Sequence, residues 1–176
     1  MITEPVFVEN WFTDASCETL AGLVRKVKMV EGRVVELGSW EGRSTLAMAG
    51  ATYRPIHAVD TWDGAPSDKY QREQVKTRNV YAQWCANLGG FPHVKAYRMD
   101  WLAYAQLELG PVALVFIDAD HTTPEVMAQI DKFRPLMSPG GIICGDDYPM
   151  RPVARAVRSR LRWGVQVEGR VWWWQA

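Results

Sequence analysis

The most constraining feature of this chain is a run of six apolar residues, Val112-Ala113-Leu114-Val115-Phe116-Ile117, that ends abruptly in Asp118, Asp120 and His121. Successive residues of a strand point to opposite faces of the sheet. A strand with no polar alternation must therefore be covered on both sides, as in a parallel sheet layered with helices. The same run places acids and a histidine at the rim where that strand stops.

The rest of the chain repeats the pattern. Leu20, Leu23, Val24 and Val27 recur at helical spacing and predict a helix over 15–29. A short strand at 34–37 closes at Gly38, and small residues predict a helix over 43–51. A second strand, 56–59, ends at Asp60, followed by a turn-rich loop at 61–68 and a long helix over 69–88. A third strand, 94–99, ends at Asp100, with a short helix near 101–107. After the apolar run, Thr123 is placed to cap a helix, Pro124 suits its first turn, Val126, Ile130 and Phe133 form its inner stripe, and Pro135 stops it. A fifth strand, 141–145, ends at Asp146-Asp147; an Arg-rich helix covers 152–162; residues 164–176 read as a hairpin turning near Glu168-Gly169.

Strands alternating with helices predict an α/β fold. No repeat, low-complexity tract or linker divides it, and 176 residues with 48% hydrophobic content suit one core. The expectation is one domain over 1–176, with an N-terminal helical segment at 1–30 and a core at 34–176. Lys plus Arg equals Asp plus Glu at 20 each, which excludes the basic excess of a general nucleic-acid binder. No run reaches the ~18 apolar residues of a membrane span. Cys17, Cys85 and Cys144 are widely spaced with no CxxC, so neither zinc nor a disulfide framework is expected. With an N-terminus lacking a basic start and an apolar run, this predicts a cytoplasmic protein.

In open α/β sheets ligands bind outside the carboxyl ends of the strands. Acids stand at those ends throughout: Glu36, Asp60, Asp100, Asp118, Asp146 and Asp147. The first loop, ELGSWEGRSTL (36–46), has Gly38 and Gly42 but not the spacing G-x-G-x-x-G, and bulky Ser39-Trp40-Glu41 suits a ligand without phosphates. Asp60 is placed to take ribose hydroxyls and Asp100 an adenine amino group. Three carboxylates suit Mg²⁺, and without a cation they would raise one another's pKa. Trp62 is a candidate neighbour of adenine or of the core, Tyr148 a candidate acceptor contact, and Arg151 a candidate phosphate contact. The run Trp172–Trp174 is expected to pack the last strand on both faces, with a homo-oligomer contact left open.

The motifs VVELGSWEGRSTLA, AVDTW, FIDADHTTPEV and LMSPGGIICGDDY resemble those of class I S-adenosylmethionine-dependent methyltransferases, and more closely the small metal-dependent O-methyltransferases of the macrocin and mycinamicin sugar type. The resemblance implies a Rossmann-like seven-stranded sheet of order 3-2-1-4-5-7-6 with a C-terminal antiparallel hairpin. It implies S-adenosylmethionine as cofactor, with Glu36, Gly38, Ser39, Gly42, Ser44, Asp60, Trp62, Asp100, Trp101 and Asp118 in its site. It further implies Asp118, Asp146 and Asp147 as Mg²⁺ ligands, His121 as general base, and the hydroxyl of a small molecule, a sugar or related metabolite, as acceptor. Trp101 departs from the pattern, which more usually has a small residue there.

Overall fold

The computed structural model describes residues 4–107 and 110–176. In chain order the elements are α1 (Asp14–Lys26), β1 (Arg33–Leu37), α2 (Arg43–Ala49), β2 (Ile56–Asp60), α3 (Lys69–Thr77), α4 (Val80–Leu88), β3 (Val94–Arg98), α5 (Trp101–Tyr104), β4 (Val112–Ile117), α6 (Thr123–Phe133), a 3-10 turn (Arg134–Leu136), β5 (Met137–Gly145), α7 (Arg151–Arg160), β6 (Gln166–Glu168) and β7 (Val171–Gln175).

The seven strands form one sheet of order β3-β2-β1-β4-β5-β7-β6. The first five run parallel, and β7 pairs antiparallel with both β5 and β6. This is the order and hairpin that the motifs imply. Every residue of β4 is buried, as its unalternating sequence requires. A fully buried Val, Leu, Ile or Phe contributes about 1.5–3 kcal/mol relative to exposure, so β4 is the strand the fold can least spare. On one sheet face, Leu20, Leu23 and Val24 of α1 pack with Met48 of α2 and Trp84 of α4; on the other, Val126, Ile130 and Phe133 of α6 meet Val153 and Val157 of α7. The tryptophan run divides between the two faces, Trp173 packing in the first layer and Trp172 in the second.

Register aligns the rim. Leu37 pairs with Val59 and Ile117, and Ile117 with Gly145. Gly38, Asp60, Asp118 and Asp146 therefore leave the sheet side by side. Gly145 has no side chain because one would overlap the Ile117 carbonyl and the Trp172 ring.

Several expectations are corrected. The helix predicted over 69–88 is two helices, α3 and α4. Arg78 between them is extended (φ −143°, ψ 151°), and the Asn79 side chain caps α4. The break lets Arg78 reach inward to Glu9 and Glu41. The N-terminal segment is not helical throughout: α1 starts at Asp14, and residues 4–13 form a strap, with Val6 and the Asn87 side chain exchanging two hydrogen bonds of 2.9 Å. The cap of α6 is Thr122 rather than Thr123, whose hydroxyl donates instead to the Pro152 carbonyl. Strand β5 begins four residues before the predicted 141, at Met137.

Candidate functional site

The carboxyl ends of the strands open into one cavity of about 720 Å³, within the usual range for a small-molecule site. At one end of it, β1 turns into α2 through Gly38 (φ +88°) and Gly42 (φ +86°). A side chain on Gly38 would overlap the Asp118 carbonyl, so this glycine is what lets the β1 and β4 tips approach. Gly42 instead admits the side chains of Leu88 and Trp84, and so serves helix packing, not the cavity wall.

Glu36 lies under this loop, fully buried. Its carboxylate accepts from the hydroxyls of Ser39 (2.5 Å), Ser44 (2.6 Å) and Thr45 (2.5 Å). Burial pushes its pKa up to about 7, against the pull of the three hydroxyls and with the help of the Asp60 charge. Asp60, at the tip of β2, faces the cavity. Its carboxylate accepts backbone N–H groups from Ser39 (2.8 Å), Trp40 (2.9 Å) and Trp62 (2.7 Å). A carboxylate has about four lone-pair sites, so capacity remains for a ligand hydroxyl. Burial raises the Asp60 pKa even against those three donors. Asp100 caps α5 through the Leu102 N–H (2.7 Å), and Asp100 and Trp101 both line the cavity.

At the other end, His121 Nε2 lies 3.3 Å from Asp118 Oδ1 and 3.1 Å from Asp147 Oδ2. Possible metal-ligand atoms of these three residues all fall within 4.8 Å of one another. Burial pushes the Asp118 pKa up to about 7, aided by the charges of Asp146 and Asp147 and opposed by His121. Burial by itself would lower His121, but the hydrogen bond and charge of Asp118, with Asp147 and Asp120, outweigh it and hold the imidazole near 9. Asp146, expected beside them as a ligand, is turned onto Arg170, whose Nη2 lies 3.0 Å and Nε 3.2 Å from its Oδ2. Arg170 also pairs with Asp147. Asp147 adopts φ +59°, uncommon for a residue with a side chain. The Trp172 indole N–H braces the Asp146 carbonyl at 3.1 Å.

The donor set fits a divalent cation. Three carboxylates against the Arg170 guanidinium and an imidazole held protonated by Asp118 and Asp147 leave one negative charge, a cation would take the place of the imidazole's proton, and hard oxygens are what Mg²⁺ takes. Asp118 and Asp147 are the carboxylates that would hold it, with Asp146 kept on Arg170.

Of the predicted site residues, Gly38, Ser39, Ser44, Asp60, Asp100, Trp101, Asp118, His121, Asp146 and Asp147 line this one cavity. Glu36 and Gly42 support it from below. Trp62 does not line it: its ring is buried among Tyr81 and Trp84, and its N–H donates to the Trp40 carbonyl at 2.7 Å. Tyr148 and Arg151 also stand outside. The Tyr148 hydroxyl accepts from Arg158 at 3.1 Å, and Arg151 is exposed at the start of α7. Asp120, read as a turn residue, does close its turn on the Thr122 N–H, and it also holds the 61–68 loop across the cavity through the Ser67 N–H (3.2 Å). His57 and His93 are structural, bonded to the Tyr104 hydroxyl (2.7 Å) and near the Ala49 carbonyl (3.3 Å).

Sequence reasoning missed four contributors. The strap brings Glu9, Trp11 and Phe12 to the wall. Glu9 is fastened by Arg78 (2.6 Å) and the Trp40 indole (3.0 Å). Arg170 arrives from the β6–β7 turn. No local motif marks any of them, because each reaches the cavity only through a long-range contact.

A sequence profile described as a methyltransferase domain matches residues 35–148. No curated protein sequence matches the chain. Among solved structures, the O-methyltransferase NovP is similar with a TM-score of 0.70 at 19% identity, over 90% of this chain and 78% of NovP. An O-methyltransferase from Bacillus cereus, in complex with SAH, is similar with a TM-score of 0.67 at 15% identity, over 99% of this chain and 84% of that one. CalS11, a TDP-rhamnose 3'-O-methyltransferase of calicheamicin biosynthesis, is similar with a TM-score of 0.61 at 18% identity, over 90% and 78%. A profile match across most of the chain, on a sheet of this order with its acids gathered at one rim, places the chain in the methyltransferase domain family, on the class I S-adenosylmethionine-dependent fold.

Proposed function

We propose that this protein transfers a methyl group from S-adenosylmethionine to a hydroxyl of a small molecule, a sugar or related metabolite, with Mg²⁺ held by Asp118 and Asp147. The observation that carries the reading is one cavity with the Asp60 cradle at one end and the Asp118–His121–Asp147 group at the other. The similarity to O-methyltransferases, one of them named for a sugar substrate, supports it.

Asp60, held by three backbone N–H groups, presents its remaining lone pair, on Oδ1, to a ribose hydroxyl. Asp100 and Trp101 flank the adenine side. When bound, the sulfonium supplies an electrophilic methyl and the cation lowers the pKa of the acceptor hydroxyl. A cation taking up the Asp118 and Asp147 carboxylates would remove the partners that hold the imidazole protonated, and His121 Nε2 would then be the atom placed to receive the acceptor's hydroxyl proton. General-base help of this kind contributes typically about 10²–10⁴-fold. The 61–68 loop, pinned to Asp120 through Ser67, and Trp11 of the strap both line the same cavity.

Titration calorimetry with S-adenosylmethionine and S-adenosylhomocysteine, combined with Mn²⁺ binding followed by electron paramagnetic resonance, tests both halves. Both nucleosides are expected to bind. Asp118→Asn is expected to lose Mn²⁺ while S-adenosylhomocysteine still binds. Failure of both nucleosides to bind removes the methyl-transfer reading; unchanged Mn²⁺ binding in Asp118→Asn removes the metal assignment. One observation favours a second reading, metal-free transfer: Arg170 already supplies a positive charge to Asp146 and Asp147. Turnover unaffected by EDTA would support that version.

A further inference from the structure

The cavity's charge is far from that of the chain. The whole sequence is balanced at 20 acids and 20 bases, yet eleven of those acids line this cavity against two of the bases, Arg43 and Arg170. Both arginines are already committed. Arg43 donates to Asn10 (2.7 Å) and pairs with Asp14 (2.7 Å), and Arg170 is spent on Asp146 and Asp147. The described lining residues include no lysine, and the guanidinium ends of both arginines are already paired; Arg43 Nε, buried, is the one arginine donor of the wall without a partner. Several of the acids are only lightly neutralised. Glu125 accepts one neutral hydrogen bond, from the Trp101 indole at 3.1 Å, and Asp63 has a single loose ion pair, 3.9 Å from Arg98. Glu9 and Glu41 are paired with Arg78 from behind the wall, and a divalent cation at Asp118 and Asp147 would offset two more charges; Asp60, Asp68, Asp100, Asp120 and Glu125 still have no ion pair among the described residues.

Resting on the methyl-transfer reading, we infer that the acceptor carries no phosphate or carboxylate, and that a hydroxyl compound bearing a protonated amine is preferred over its neutral counterpart. Like charges juxtaposed across a binding surface cost affinity, and a low-dielectric cleft concentrates its own field. An anionic acceptor would enter against that field with no cation to receive it. The cofactor's net charge suits the same field: the sulfonium form carries a net positive charge and its thioether product none. The inference separates this cavity from a nucleotide-sugar site, whose pyrophosphate needs basic partners, and agrees with the position of Arg151 outside the wall.

The test uses the full chain, first shown by calorimetry to bind S-adenosylhomocysteine, then saturated with it in the presence of Mg²⁺. Two mixtures of matched probes are equilibrated across a dialysis membrane and quantified by mass spectrometry: dopamine, catechol and protocatechuate in one; glucosamine, methyl glucoside and glucuronate in the other. In at least one mixture the amine is expected to be retained most and the carboxylate least. The expected spread is about 10-fold or more, equivalent to about 1.4 kcal/mol, at about 20 mM NaCl, shrinking at about 500 mM because salt screens the field. Retention of a carboxylate equal to or above its amine overturns the inference. So does a spread that salt leaves unchanged, or retention of none of the six. Lack of S-adenosylhomocysteine binding at the first step sinks the methyl-transfer reading instead, so the two failures are told apart.

Discussion

Glu36→Ala probes how the cofactor loop is held. The carboxylate of Glu36 is the shared acceptor of the Ser39, Ser44 and Thr45 hydroxyls, all buried. Removing it leaves three buried donors without that partner. At about 1–3 kcal/mol for each unsatisfied group, with partial relaxation, the loss is on the order of 3–6 kcal/mol. An opposing effect depends on pH. The folded-state pKa near 7 lies above the ordinary 4.5, because burial disfavours the charge. The native state therefore binds more protons than the unfolded chain between those values, and the contribution of this group is complete below 4.5 and declines as pH rises to 7. That interval corresponds to about 3 kcal/mol, a cost the alanine variant no longer carries. Destabilisation is thus expected to be on the order of 3–6 kcal/mol near pH 5 and about 3 kcal/mol less near pH 8. Urea unfolding, followed by the fluorescence of the nine tryptophans, measures both. S-adenosylhomocysteine affinity should fall at either pH, since Ser39 and Trp40 present their N–H groups to Asp60 from this loop. An equal loss at the two pH values, or a loss below about 1 kcal/mol near pH 5, would refute the hydrogen-bond and burial argument.

Two further substitutions read other parts of the rim. Gly38→Ala forces a side chain into a left-handed backbone and against the Asp118 carbonyl; a loss of about 2–4 kcal/mol in a urea melt is expected, beyond the usual cost of backbone strain alone. Arg170→Met removes the charge that shares Asp146 and Asp147 with the proposed cation. Without metal it should lower stability by about 2 kcal/mol, because the buried Asp146 loses its partner. Mn²⁺ affinity should rise by about 10-fold or more as the competing charge disappears. Unchanged Mn²⁺ affinity in a folded Arg170→Met protein would show that Arg170 and the ion do not share these carboxylates.

How much of this was legible in the sequence follows the range of each interaction. The β4 run, the stripe of α6 and the acids ending each strand are local patterns, and a sheet rim is where such acids must go. His121 was readable as a site residue because it lies three positions past Asp118, in the same turn. Trp62 was ambiguous because Asp-Thr-Trp marks a strand end without showing which way the indole turns; Tyr81 and Trp84 decided that. The division of 69–88 was hidden because its periodicity is compatible with one helix. The Asn79 cap and the pairing of Arg78 with Glu9 and Glu41 together mark the division into two.

What the sequence determined by itself was the alternation of strands and helices, the burial of the central strand on both faces, and the chemistry gathered at strand ends, since periodicity and turn residues act over a few positions. What the tertiary structure decided was how those charges are shared. Arg170 reaches Asp146 from a hairpin 24 residues later, and the strap at 4–13 closes on Asn87 and Arg78 far along the chain. Electrostatic interaction depends on distance in space, so the balance between three clustered carboxylates, one histidine and one arginine is set only once the sheet has formed.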